Sequence, residues 1–110
     1  MAYDEQLAAR IRMLVGDRPD LTEKKMFGGL AFLIGGNMAI AASGQGGVLV
    51  RVDPEESEAL IATTPAEPME MRGRSMAGWL RVDTAAVADD TALAEWVERG
   101  VGYAASLPPK

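Results

Sequence analysis

The chain has 110 residues, 48% of them apolar and 25% charged, with eleven basic and sixteen acidic side chains giving a net charge of −5. That is the size of one globular domain, able to bury roughly 60–70% of its unfolded surface, with no room for a second domain of ordinary size. Cysteine and histidine are absent, which excludes disulfides, thiolate and imidazole catalysis, zinc fingers and haem ligation, and leaves carboxylates, hydroxyls, Lys, Arg and backbone as chemical tools.

In chain order, Leu7, Ile11, Leu14 and Val15 fall at helical spacing beside Arg10 and Arg12, with Gly16 placed to end the helix. A polar link containing Pro19 follows, and residues 22–27 are expected to be extended. Leu30, Phe32 and Ile34 alternate with Ala31 and Leu33, then Gly35, Gly36 and Asn37 supply a turn before an apolar run from Met38 to Ala42. Val48, Val50 and Val52 share one face of a strand, with Leu49 and Arg51 on the other. Connections this short permit only antiparallel pairing of three or four sequential strands. Asp53 caps the next helix, Pro54 fits its first turn, and Glu56 stands at the capping-box spacing. This helix ends near Ile61 or Ala62, with Ala59, Leu60 and Ile61 as its apolar face.

Pro65 and Pro68 bracket a turn, residues 67–71 are suited to a short strand, and residues 72–78 read as an exposed loop leading to Trp79 and a strand through Val82. After Asp83 helical periodicity returns. Asp89 or Asp90 is the cap, and Leu93, Trp96, Val97, Gly100, Val101 and Ala104 form one stripe that Pro108 and Pro109 terminate. Gly100 and Gly102 each weaken this longest helix by about 1 kcal/mol relative to Ala, so they serve either close approach or a kink. The expected fold is α+β: an antiparallel sheet of about five to six strands with three helices, in the order helix, three or four strands, helix, two strands, helix.

The run Lys25-Met26-Phe27-Gly28-Gly29-Leu30-Ala31-Phe32, followed by Gly36-Asn37-Met38-Ala39 and Leu49-Val50-Arg51-Val52-Asp53, resembles the N-terminal domain of the TfoX/Sxy family, named after regulators of bacterial competence. Met26, Phe27, Gly28 and Gly29 are the family signature, and the closing helix with Trp96-Val97 and Ala104-Ala105 is also similar to the family pattern. The resemblance runs from about Tyr3 to Leu107. It implies a compact α+β domain, a bacterial protein and a role in transcriptional regulation of DNA uptake. Competence regulators of the family carry a further C-terminal helical domain, so the expectation here is a stand-alone N-terminal domain at residues 1–110.

Candidate sites weigh toward interaction. The signature glycines suit either a surface that a partner approaches or a tight turn with Met26 and Phe27 in the core. The glycine clusters at 35–36 and 44–47 lack the helix start and Lys-Ser/Thr ending of a phosphate loop. Asp53, Glu55, Glu56, Glu58, Glu67 and Glu70 are accounted for by capping and solvation, and no serine has a histidine to activate it. Lys24, Lys25, Arg51, Arg72, Arg74 and Arg81 are the basic residues expected to cluster. Met69, Met71 and Met76 beside Trp79 suit a soft, adaptable surface. The Gly100 and Ala104 face suits either self-pairing or packing on the sheet.

The interaction surface is therefore expected among Lys24, Lys25, Arg51, Met71, Arg72, Arg74, Met76, Trp79 and Arg81, with another protein as partner. The alternative is a nucleic acid held by a local basic patch. No cofactor or metal is expected, and the function read is regulatory or adaptor and non-enzymatic. No apolar run approaches the roughly eighteen residues of a membrane span, and Asp4 and Glu5 stand where a signal peptide is basic. A cytoplasmic monomer or homodimer is the expectation.

Overall fold

The structure, a computed structural model, describes residues 3–26, 28–44, 46–71 and 73–109, with Met71 and Ser75 as backbone only. The elements are α1 (Glu5–Val15), β1 (Leu21–Met26), β2 (Gly29–Ile34), β3 (Asn37–Ala42), β4 (Val48–Arg51), a 3-10 turn (Pro54–Glu56), α2 (Ser57–Thr63), β5 (Glu67–Met71), β6 (Arg74–Val82), a second 3-10 turn (Thr84–Val87) and α3 (Asp90–Ser106). The expected α+β order holds, with four strands between the first two helices. All six strands form one antiparallel sheet in the order β1-β2-β3-β4-β6-β5.

Local chemistry sets the helix ends. The Asp4 carboxylate accepts from the Gln6 and Leu7 amides at 2.9 and 3.2 Å, occupying donors that the first turn leaves without partners. Of the two candidate caps for α3, Asp89 fills the position and accepts from the Thr91 amide. Asp53 accepts from the Glu55 amide, but it caps a 3-10 turn, and α2 starts only at Ser57.

The helices lie on one side of the sheet. Leu7, Ala8 and Ile11 of α1 and Leu93, Trp96, Val97 and Ala104 of α3 enclose a core with Phe32, Ile34, Ile40, Val48, Val50, Leu80 and Val82. Helix α3 crosses β3 and β4, while α2 packs beside β5 and β6. A bulge in β3 pairs Phe32 with Ile40 but Leu33 with Met38, setting Ala39 off register. Gly100 faces that bulge: a Cβ there would collide with the Ala39 carbonyl oxygen and press on Val50. Close approach is therefore the role of Gly100, and its face, with Ala104, is buried against the sheet instead of being presented for self-pairing. Gly102 is exposed and has open space around it.

Three sequence expectations need correction. Residues 74–78 are strand and not loop: β6 runs from Arg74 and pairs with β5 across an irregularity between Pro68 and Glu70. Hairpin pairing with the preceding strand β5 outweighs the weak strand propensity of this Gly- and Ala-containing stretch. Pro68 accordingly sits inside β5, where an outermost strand tolerates a missing N–H. In α2, Ala59 faces solvent while Leu60 and Ile61 are half-buried, and the buried residue is Ser57, whose Oγ accepts from the Gly78 amide at 2.7 Å.

Candidate functional site

Opposite the helices, the sheet carries a second apolar cluster. Ala31, Met38, Ala41 and Leu49 are buried in it, flanked by half-buried Met26, Leu33, Met69 and Trp79. Every one of these residues belongs to a strand, and each of the six strands supplies at least one. Among the described residues no helix contributes to this second apolar cluster. Alternation along the strands produces it: in β4, Val48 and Val50 enter the main core while Leu49 points the other way. An antiparallel sheet with one solvated face normally shows polar residues there, so an apolar second face is the feature of the fold that local folding rules leave unexplained.

Register places the charged residues. Directly paired residues of antiparallel strands share a face. Lys24 pairs with Ala31 and so lies on the second face, whereas Lys25 pairs with Leu30 on the helix side. Arg51 pairs with Trp79, and Arg81 with Leu49 and Glu67, all on the second face. The Arg51 guanidinium carbon lies 4.9 Å from the Trp79 ring centroid and 5.7 Å from that of Tyr103 on α3. Both are within cation–π range. Among the described residues no carboxylate pairs with Arg51 or with Lys24.

The expected basic residues are thus divided. Arg51 and Arg81 are neighbours on β4 and β6, Lys24 and Lys25 lie on the opposite edge strand with two strands between them and β4, and exposed Arg74 sits at the far end of β6. The methionines divide too. Met69 joins Trp79 on the second face, while Met76 lines a cleft of about 380 Å³ on the helix side with Pro54, Ser57, Glu58, Ile61 and Pro68. Phe27 and Arg72 fall outside the described residues, as does the side chain of Met71.

The signature glycines have a structural task. Gly28 has a φ of 75°, and a Cβ on Gly29 would strike the Ala42 carbonyl oxygen of β3. They bring β1 and β2 together and deliver Met26 to the second face. Sequence reasoning missed Leu33, Met38, Ala41 and Leu49 as surface candidates. The signal was present: Gly29–Ile34 and Asn37–Ala42 are almost continuously apolar instead of alternating, the pattern of strands covered on both faces.

Elsewhere two ion pairs fix α1. Arg10 binds Asp90 at 2.8 Å and donates to the Val87 and Ala88 carbonyls. Arg12 grips Glu23 of β1 through two bonds of 2.7 and 2.8 Å, and this hydrogen bonding holds the Glu23 carboxyl below its usual range. No group of three metal-ligating side chains occurs among the described residues, and no helix there is long and apolar enough to cross a membrane.

Comparison with curated proteins and with solved structures gives no match. Residues 13–104 match the TfoX N-terminal domain, from the last turn of α1 to Ala104 in the last turn of α3. With the glycine turn, the six-stranded sheet and all but the last two residues of the closing helix inside that span, the chain belongs to the TfoX N-terminal domain family, which is linked to competence regulation.

Proposed function

We propose that this domain is non-enzymatic and acts by binding another protein through the second face of its sheet, in transcriptional or competence-related regulation. The observation that carries the reading is the cluster of strand residues around Leu33, Met38, Leu49 and Trp79, to which none of the three helices contributes. Half-buried methionine and tryptophan side chains there are adaptable and aromatic, the types enriched where proteins meet. The dispersal of Lys24, Lys25, Arg51, Arg74 and Arg81 over two sides and both ends of the sheet disfavours a single phosphate-binding track.

The test uses the full chain as bait in a lysate of its native host. The parent protein and a Met13→Asp control, altered on the helix side where Met13 is 83% exposed, should retain the same discrete protein. Leu33→Asp, with its circular dichroism and melting checked, should lose it. Retention indifferent to Leu33 overturns the face as the site. A DNA mobility shift that weakens steeply with salt and ignores Leu33 supports the nucleic-acid alternative instead.

A further inference from the structure

Resting on the second-face reading, we infer the kind of partner: an amphipathic helix whose apolar stripe is flanked by carboxylates. The residues in register on this face are apolar in the middle and cationic at the sides. Among the described residues, the ionic groups that strand register places on it, short of the β5–β6 irregularity, are Lys24, Arg51, Arg81 and Glu67, a net positive set on a chain whose overall charge is −5. Glu67 stands directly opposite Arg81 in register, and neither Lys24 nor Arg51 has a carboxylate partner among the described residues.

Their placement selects the shape of the partner. Lys24 is on β1 and Arg51 on β4, three strand spacings apart, or about 14 Å. A helix with its side chains is about 10–12 Å wide, so carboxylates on its two flanks reach both cations while the stripe between them packs on half-buried Leu33, which lies over the buried Met38 and Ala41. A helix on this face also completes a helix–sheet–helix layering, burying both sides of strands that are apolar on both. Arg51 is prepared for the contact: Trp79 and Tyr103 hold its guanidinium plane without consuming it in an ion pair, which reduces the ordering cost of a bidentate carboxylate bond. A second copy of this chain would instead set one net-positive face against another.

The experiment titrates the 15N-labelled chain with two synthetic helical peptides of about 18 residues, long enough to span the face, sharing one Leu/Ile stripe and differing only in Glu or Lys flanks. The Glu-flanked peptide should bind about tenfold or more tightly than its Lys counterpart, shifting the amides of Leu33, Met38, Leu49 and Arg51 and changing Trp79 fluorescence. Arg51→Gln should remove most of that preference, and Lys24→Gln, on an exposed edge residue whose loss leaves the fold intact, should reduce it. Equal or tighter binding of the Lys-flanked peptide at the same amides overturns the acidic partner while sparing the surface. Binding of neither peptide overturns the helix, and the lysate test with Leu33→Asp then decides the surface by itself. Concentration-dependent dimerisation that broadens these same amides makes a second copy the occupant and also overturns the proposal.

Discussion

Substituting the two glycines of α3 by alanine separates packing from propensity within one helix. Gly100→Ala introduces a methyl group where the Ala39 carbonyl oxygen and a Val50 methyl already stand. Backbone oxygen cannot rotate aside, so α3 must lift from β3, an overpacking cost in the upper part of the usual range, about 2–3 kcal/mol, which after the gain of up to about 1 kcal/mol from replacing helical glycine leaves a net loss of about 1–2 kcal/mol. Gly102→Ala meets nothing within 4 Å and collects the propensity gain alone, about 0.5–1 kcal/mol. For a chain of this length 1 kcal/mol moves the melting temperature by about 4 °C. Thermal unfolding followed by circular dichroism should therefore show Gly100→Ala lower by about 4–8 °C and Gly102→Ala higher by about 2–4 °C. Equal shifts, or a Gly100→Ala protein as stable as its parent, would refute the close crossing of α3 over the β3 bulge.

Phe32 and Leu33 are sequence neighbours on opposite faces, so Phe32→Ala, in the fully enclosed core, should cost about 3–5 kcal/mol while half-buried Leu33→Ala costs about 1 kcal/mol, measured by urea denaturation. The buried Asn37 amide donates to the Pro108 carbonyl at 3.0 Å; Asn37→Ala should lose about 1–2 kcal/mol and speed proteolysis after α3. Because Arg12 lowers the Glu23 carboxyl, the pair's contribution is present above the ordinary glutamate range and disappears as pH falls through the lowered value. Glu23→Gln should be less stable than the parent by under about 1 kcal/mol at neutral pH, the pair being partly exposed. The two melting curves should converge in acid, and a difference that persists there would contradict the assignment.

Much of the fold was legible because its determinants are local. Gly16 read as the end of α1, Asp89 as one of two candidate caps of α3, Gly35-Gly36 as a hairpin turn, and the valines of β4 as one face, since each rests on neighbours within a few residues. The second face was not legible because it depends on strand order. Nothing local says that β4 pairs with β6, which brings Arg51 to Trp79, or that β1 lies at the far edge, which removes Lys24 and Lys25 from the other cations. Likewise, the separation of Met76 from Trp79 follows from the irregular β5–β6 pairing, and residues 74–78 read as a loop because their small and polar residues give no clear alternation, although their partner strand β5 is the preceding one in sequence.

An apolar outer face is a hazard for a free chain, and the arrangement of this sheet limits it in two ways. At the centre of the face the residues are small, Ala31 and Ala41, and longer side chains around them leave both nearly inaccessible to water. Arg51 lies over the Trp79 ring, covering part of the largest apolar group with a hydrated cation. The edges are guarded separately. β1 exposes Thr22, Glu23, Lys24 and Lys25, and β5 contains Pro68, devices that discourage strand addition. Edge pairing is thereby made unfavourable, while among the described residues no helix supplies a side chain to the cluster on the face itself. Lys24 does both tasks at once: on the edge it repels another strand, and on the second face it stands where an acidic helix flank would lie. That economy explains why a two-layer domain can keep strands that are apolar on both sides without depending on its own helices to cover them.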